Sequence, residues 1–208
     1  MRVRRVYLVA GAALIVAALA VAFAFDESGG SPSAPTPVPA SLPGELAGAA
    51  PWPANNANQL EARLAALKLP ALAFEGTALH IHQHLDLFVG EKRVVVPAGI
   101  GIDPYARFIS PLHTHDTSGV VHVESPNVRP FTLGEFFGVW GVRFGPGQLG
   151  GYADGNGQTL RTYVDGEPVA GDPRNVVLAS HQEIFVAFGT AKQLPRPIPD
   201  SYAFAAGL

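Results

Sequence analysis

Between residues 78 and 89 the chain alternates between two kinds of side chain. His80, His82 and His84 occupy every second position, and the positions between them are mostly apolar. Successive side chains of a β-strand point to opposite faces, so this spacing gathers the histidines on one face. The segment is therefore predicted to be a strand with one histidine-lined face and one apolar face.

A second group of histidines follows about thirty residues later. Asp116–Gly119 has Asp first and Gly last, as a type I turn prefers, and predicts a hairpin. If the hairpin closes there, His113 lies directly opposite His122. His115 and Glu124 then share that face, whereas a slip of one residue in the turn would move His122 and Glu124 to the other face.

Six of the seven histidines of the chain belong to these two groups. The chain has no cysteine and a single methionine, Met1, which excludes disulfides and thiolate sites and disfavours soft copper(I) sites. Imidazoles paired on strands favour Zn²⁺ or Cu²⁺ over Ca²⁺, which prefers oxygen ligands. The sequence thus predicts a divalent transition metal, in one crowded site or two neighbouring sites, with the ligands His80, His82, His84, His113, His115 and His122.

Several functions remain compatible with such a cluster. One is metal binding or transfer, and another is a metalloenzyme in which three histidines and a water activate hydroxide, with Glu124 as the base. A third is a pH-sensing, structural or interaction domain that uses the histidines without a metal. Asp86 is within reach as a ligand or as an orienting partner, whereas Asp116 and His181 are predicted to be turn residues.

The N-terminal residues 1–25 are predicted to be a membrane anchor or a signal segment. Three arginines among the first five residues precede an uncharged run from Val6 to Ala24, which would span roughly 28 Å as a helix. The arginines favour a cytoplasmic N-terminus. The remainder is predicted to lie outside the cytoplasm, anchored by a single transmembrane helix or secreted after cleavage near Ala24.

The composition divides the rest of the chain into two parts. Residues 26–56 are rich in Pro, Ser, Gly and Ala and are predicted to be a linker, and residues 57–208 are predicted to be the folded domain. Beyond residue 25 there are 11 basic against 17 acidic side chains, which argues against nucleic acid as a partner. The partners that the sequence predicts are the membrane and the metal ion.

The predicted domain consists mainly of short strands joined by turns. A capping box at Thr132 and Glu135 starts a helix that ends near Gly141, and an apolar stripe indicates another helix at 58–68. This pattern predicts a mainly β fold of antiparallel hairpins, a sandwich or a small barrel, with two short helices. The predicted hairpins cover 78–96, 110–125, 160–169 and 176–188, and a Gly-rich loop covers 146–157.

Several motifs resemble those of a family of exported prokaryotic proteins rich in histidine. They are HIHQHLDLFVG at 80–90, VPAGIG at 96–101, HTHDTSGVVHVE at 113–124 and FTLGEFFGVW at 131–140. The resemblance covers the chain from about residue 67 onward; it implies the extent of the domain and carries no activity with it. The pairing of an HxH strand with a histidine from a neighbouring strand is also similar to the zinc site of α-type carbonic anhydrases, in site geometry alone.

Overall fold

The computed structural model describes residues 35–54 and 57–208. The predicted membrane segment at 1–25 and the first part of the predicted linker lie outside the described residues. Within the part of the chain that is described, no helix is long and apolar enough to cross a membrane.

The described residues form two α-helices, a short 3-10 helix (Pro173–Asn175) and twelve strands. In chain order they are α1 (Ala57–Leu67), β1 (Leu79–Val89), β2 (Lys92–Val94), β3 (Ile102–Asp103), β4 (Phe108–Ile109), β5 (Leu112–His113), β6 (Val120–Ser125), α2 (Leu133–Trp140), β7 (Phe144–Gly145), β8 (Gln148–Leu149), β9 (Tyr152–Ala153), β10 (Thr159–Val164), β11 (Glu167–Pro168) and β12 (Glu183–Gly189). The prediction of a mainly β fold with two short α-helices is confirmed.

Strand β1 is the centre of the largest sheet, whose order is β11-β10-β12-β1-β6-β5, with β2 also paired to β1. The β1–β12 pair is parallel, and the other pairs are antiparallel. The sheet is therefore mixed, and the prediction of antiparallel hairpins alone was wrong. A parallel partner almost a hundred residues away leaves no local sequence signal, whereas hairpin turns do.

Two predictions for the C-terminal half need correction. The hairpin at 176–188 does not form, because Val177 bridges to Thr132 and β12 instead lies between β1 and β10. The Gly-rich segment at 146–157 is more than a loop, since β8 and β9 pair within it and β7 completes a three-stranded sheet. The predicted hairpins formed by β1 with β2 and by β10 with β11 are present.

The two faces of the main sheet differ as the alternation in β1 predicts. Leu85 and Leu87 point to the apolar face and join one hydrophobic core with the helices α1 and α2. The capping box predicted for α2 is present: Thr132 accepts a hydrogen bond from the backbone of Glu135 (3.2 Å), and Glu135 accepts one from the backbone of Thr132 (2.9 Å). The helix ends at Gly141, whose φ of 83° suits glycine. The histidine-lined face lies on the other side of the sheet.

Part of the segment predicted to be a linker packs against this core. Trp52 is only 4% exposed, and its ring contacts Trp140 edge-on at 6.1 Å. The indole of Trp140 donates to the carbonyl of Pro53 (2.9 Å), and the backbone of Ala50 donates to the hydroxyl of Tyr152 (3.2 Å). The packed region therefore begins before residue 57. A composition rich in Pro, Gly and Ala conceals these contacts, which include a backbone bridge between Leu46 and Val142.

Candidate metal centre

The strand register brings the histidines of both groups onto one face of the sheet. His113 pairs directly with His122 across β5 and β6, which confirms the predicted register. Across β1 and β6, His82 pairs with His122 and His80 pairs with Glu124. These pairings create one continuous group, here called the His–Glu cluster, which consists of His80, His82, His113, His115, His122 and Glu124.

The first half of the cluster contains His113, His115, His122 and Glu124. One possible ligand atom from each of these four residues lies within 4.8 Å of the other three. The Nε2 atoms of His113 and His115 are 3.2 Å apart, and Nδ1 of His122 is 3.0 Å from Oε1 of Glu124. Nε2 of His113 is 3.8 Å from Oε2 of Glu124. The four side chains therefore converge on one small volume.

The second half contains His80, His82 and the same Glu124, again with donor atoms within 4.8 Å of one another. The Nε2 atoms of His80 and His82 are 3.2 Å apart. They lie 3.3 Å and 3.9 Å from Oε1 of Glu124. Glu124 is thus common to both halves of the cluster.

The orientation of His113 is fixed by the backbone. Its Nδ1–H donates to the carbonyl oxygen of Ser110 at 3.0 Å, and a carbonyl can only accept. In the neutral ring Nε2 then carries the lone pair and faces His115 and Glu124. Metal-binding histidines are commonly held by such a hydrogen bond from the other ring nitrogen.

Burial keeps the inner imidazoles neutral. It lowers the pKa of His82 and of His122 to about 4 and that of His113 to about 3, and the neighbouring histidines add a smaller effect in the same direction. His80 and His115 form the rim, with side chains 51% and 44% exposed. The inner rings therefore offer lone pairs at neutral pH, and the outer rings face solvent.

Glu124 is buried among these rings. Burial raises its pKa, and the nearby carboxylate of Glu75 raises it further. Its Oε2 is buried and has no hydrogen-bond partner among the described residues, an arrangement that is costly unless a cation or proton compensates. The sequence predicts Glu124 as a base if the domain is an enzyme; the structure places it between two sets of imidazoles, where its carboxylate could also be a ligand.

His84 lies on the same face but outside the cluster. Its Nδ1 is hydrogen-bonded to Oε2 of Glu183 (2.6 Å), and its Nε2–H donates to the carbonyl of Ser118 (3.0 Å). Tyr202 stacks on the ring, with centroids 3.8 Å apart. A Cβ on Gly119 would come within 2.8 Å of Nε2, so glycine is needed for this close approach. Both ring nitrogens of His84 are thus engaged by the protein.

Two carboxylates near the histidines gave no sequence signal. Glu183 faces His84 only because β12 pairs in parallel with β1, and it forms a third possible ligand group with His84 and Asp86. Glu75 precedes β1 and places Oε1 3.4 Å from Nε2 of His115. Both contacts depend on tertiary structure rather than on spacing along the chain.

The remaining polar residues singled out from the sequence have protein partners of their own. Asp116 accepts a hydrogen bond from the backbone of Ser118 (2.8 Å), as a turn residue does. Asp86 forms an ion pair with Arg93 (2.7 Å). His181 lies in a turn with φ of 61°, and its Nε2 is 2.9 Å from the carbonyl of Leu208.

Comparison of the chain with family models, with curated proteins and with solved structures finds no match, so the geometry of the site carries the functional argument.

Proposed function

We propose that this domain binds a divalent transition metal, Zn²⁺ or Cu²⁺, through the His–Glu cluster. The observation that carries the proposal is the convergence of five imidazoles and one carboxylate, with donor atoms within 4.8 Å in each half of the cluster. A cluster of histidines that served only to fill space would not need to aim its ring nitrogens at one another.

The distances between donors suit a bound ion. Two ligands held at 2.0–2.1 Å from a tetrahedral centre lie roughly 3.3 Å apart. The Nε2 pairs His80–His82 and His113–His115 are both separated by 3.2 Å. A hydrogen bond between two rings also allows this distance, but it engages only two atoms, whereas three or four donors converge in each half.

The protonation of the inner rings favours metal binding over pH sensing. A sensor that acts near neutral pH needs imidazoles that titrate there. The pKa values of His82, His113 and His122 are lowered to about 4, 3 and 4, so these rings are neutral and free of a competing proton at pH 7. Donors that are mainly imidazole nitrogen suit zinc and copper(II).

The direct test is metal content and affinity of the full chain, purified in mild detergent without a polyhistidine tag. We expect bound zinc or copper by elemental analysis, and saturable binding by calorimetry after removal with a chelator. His82→Ala and His113→Ala should each weaken binding at least tenfold. The matched control is His181→Ala, which removes a histidine outside the cluster and should leave affinity unchanged. A folded wild-type protein with no metal above background would refute the proposal.

A second candidate function is activation of water for hydrolysis or hydration. It is favoured by a cleft of about 600 Å³ beside the cluster, which is lined by Glu75, Phe74, Arg107 and Phe108. Glu75 contacts the rim residue His115, so the cleft adjoins the exposed side of the cluster. A zinc-loaded protein should then hydrolyse 4-nitrophenyl acetate faster than the metal-free protein and faster than His113→Ala. Equal rates would leave metal binding as the function.

We also propose that residues 1–25 anchor the chain in a membrane with the domain outside the cytoplasm. Support comes from the uncharged run after the N-terminal arginines. Protease added to intact cells after removal of any outer barrier should degrade the domain, and deletion of residues 1–25 should prevent this by retaining the chain inside. Protection of the wild-type domain would contradict the proposal.

A further inference from the structure

We infer that the His–Glu cluster holds two metal ions that share the carboxylate of Glu124. This inference rests on the proposed function and specifies its stoichiometry and geometry. The six donors do not all lie within 4.8 Å of one another but divide into two groups. Glu124 is the one residue common to both, so a single ion cannot bind the whole cluster without rearrangement.

The position of one ion follows from three distances. The Nε2 atoms of His80 and His82 and Oε1 of Glu124 form a triangle with sides of 3.2, 3.3 and 3.9 Å. The point equidistant from these three atoms is about 2.0 Å from each, which is the length of a zinc–nitrogen bond. The three donor atoms are therefore spaced so that one ion could contact all of them, and His80, whose side chain is 51% exposed, lies on the solvent side of this group.

The other ion has its own set of donors. His113 and His115 offer Nε2 atoms 3.2 Å apart, and His122 completes three imidazoles. The second carboxylate oxygen, Oε2 of Glu124, faces this group at 3.8 Å from Nε2 of His113. It is buried and has no hydrogen-bond partner among the described residues, a cost that a bound cation would relieve.

The carboxylate of Glu124 thus contacts both groups of imidazoles: Oε1 lies 3.3 Å from Nε2 of His80 and 3.0 Å from Nδ1 of His122, and Oε2 lies 3.8 Å from Nε2 of His113. A carboxylate bridge of this kind suits ions about 3.5–4 Å apart, the spacing of two-metal sites. Glu75 adds a second negative charge at the rim, 3.4 Å from Nε2 of His115, which helps to balance two divalent ions. Each group contains one exposed histidine, His80 or His115, so solvent reaches both groups and a bridging water or hydroxide is the exogenous ligand that we expect.

The test combines stoichiometry with X-ray absorption on the zinc-loaded full chain in detergent. We expect two zinc ions per chain and a metal–metal distance of about 3.5–4 Å. His80→Ala/His82→Ala should reduce the content to one ion and abolish the metal–metal signal, and Glu124→Gln should lose the signal as well. Asp86→Asn, in the separate group around His84, is the matched control and should retain both ions.

The outcomes separate this inference from the proposed function. One ion per chain that needs both histidine pairs would overturn the two-ion inference and leave metal binding intact. Two ions of which one is lost in Asp86→Asn would place the second ion beside His84 and would also overturn the shared carboxylate. No metal in folded wild-type protein would overturn both.

Discussion

His113 and His122 face each other across β5 and β6 with their rings stacked, the centroids 5.2 Å apart and the planes 14° from parallel. This one pairing decides the composition of the site. It turns His122 toward the histidines of β1 and carries Glu124, two residues further, into the middle of the cluster. A register shifted by one residue would bury Val121 and Val123 there instead.

The pairing predicts that His113→Ala and His122→Ala weaken metal binding by similar factors, each at least tenfold. Both rings are buried in the same half of the cluster and are proposed ligands of the same ion, so we expect neither to be replaceable by solvent. Competition titration against a chelator of known affinity measures the effect, and circular dichroism confirms that each variant is folded. Unchanged affinity in His122→Ala beside complete loss in His113→Ala would exclude His122 as a ligand.

His84→Ala is expected to lower the free energy of unfolding and to leave the metal content unchanged. The substitution leaves the buried carboxylate of Glu183 without its 2.6 Å partner, and loss of one member of a buried pair costs about 3 kcal/mol or more. Urea unfolding measures this loss, and elemental analysis of the folded variant should show the wild-type metal content. Loss of an ion from folded His84→Ala would bring His84 into the metal site.

The metal-free protein should lose stability as the pH falls below about 6.5. His82 and His122 have native pKa values of about 4 and His113 of about 3, so between these values and 6.5 the unfolded chain binds more protons than the folded chain. The free energy of unfolding then falls with falling pH, by up to about 1.4 kcal/mol per pH unit for each histidine. The raised pKa of Glu124 acts in the opposite direction and offsets part of this loss.

Urea unfolding at pH 7, 5.5 and 4.5 measures how steeply the free energy of unfolding changes with pH. His122→Gln removes one titrating group, so it should lower the number of protons taken up on unfolding by up to one. A stability that is flat across this range would mean that the inner histidines titrate normally. Protonation of His82, His113 and His122 should correspondingly not compete with metal binding at pH 6, where an ordinary histidine, with a pKa of about 6.5, would already be largely protonated.

The segment at 35–54, which precedes α1, is expected to contribute directly to the stability of the domain. Trp52 is 4% exposed and packs on Trp140, so Trp52→Ala should lower the free energy of unfolding by about 3–5 kcal/mol. Phe74→Ala is the control, because Phe74 is 84% exposed and its removal should change stability by no more than about 0.5 kcal/mol. Equal effects of the two substitutions on denaturant midpoints would show that the packed segment is dispensable.

The histidine face of the sheet shows which features of the site local sequence patterns predict and which they do not. The alternation in β1 and the turn at Asp116–Gly119 are short-range features, and together they predicted the pairing of His113 with His122. The same reasoning did not separate His84 from the other histidines, because spacing along β1 treats His80, His82 and His84 alike. Their difference comes from Glu183, which reaches His84 through a parallel pairing with no local signature.

Composition was a weaker guide than periodicity. The segment at 35–54 has the residue content of a linker, yet it packs on α2: Trp52 contacts the ring of Trp140, and the indole of Trp140 donates to the carbonyl of Pro53. The hairpin predicted at 176–188 had suitable strand residues on both sides of a turn, but β12 gains two long neighbours, β1 and β10, by pairing elsewhere. In both cases the tertiary partner outweighs the local pattern.

The most direct test of the central claim is anomalous X-ray diffraction from crystals of the metal-loaded protein, recorded on both sides of the zinc or copper absorption edge. We expect anomalous density within bonding distance of the Nε2 atoms of His82 and His113, on the histidine face of the sheet beside Glu124. A folded, metal-soaked protein with anomalous density only elsewhere, or with none, would contradict the claim.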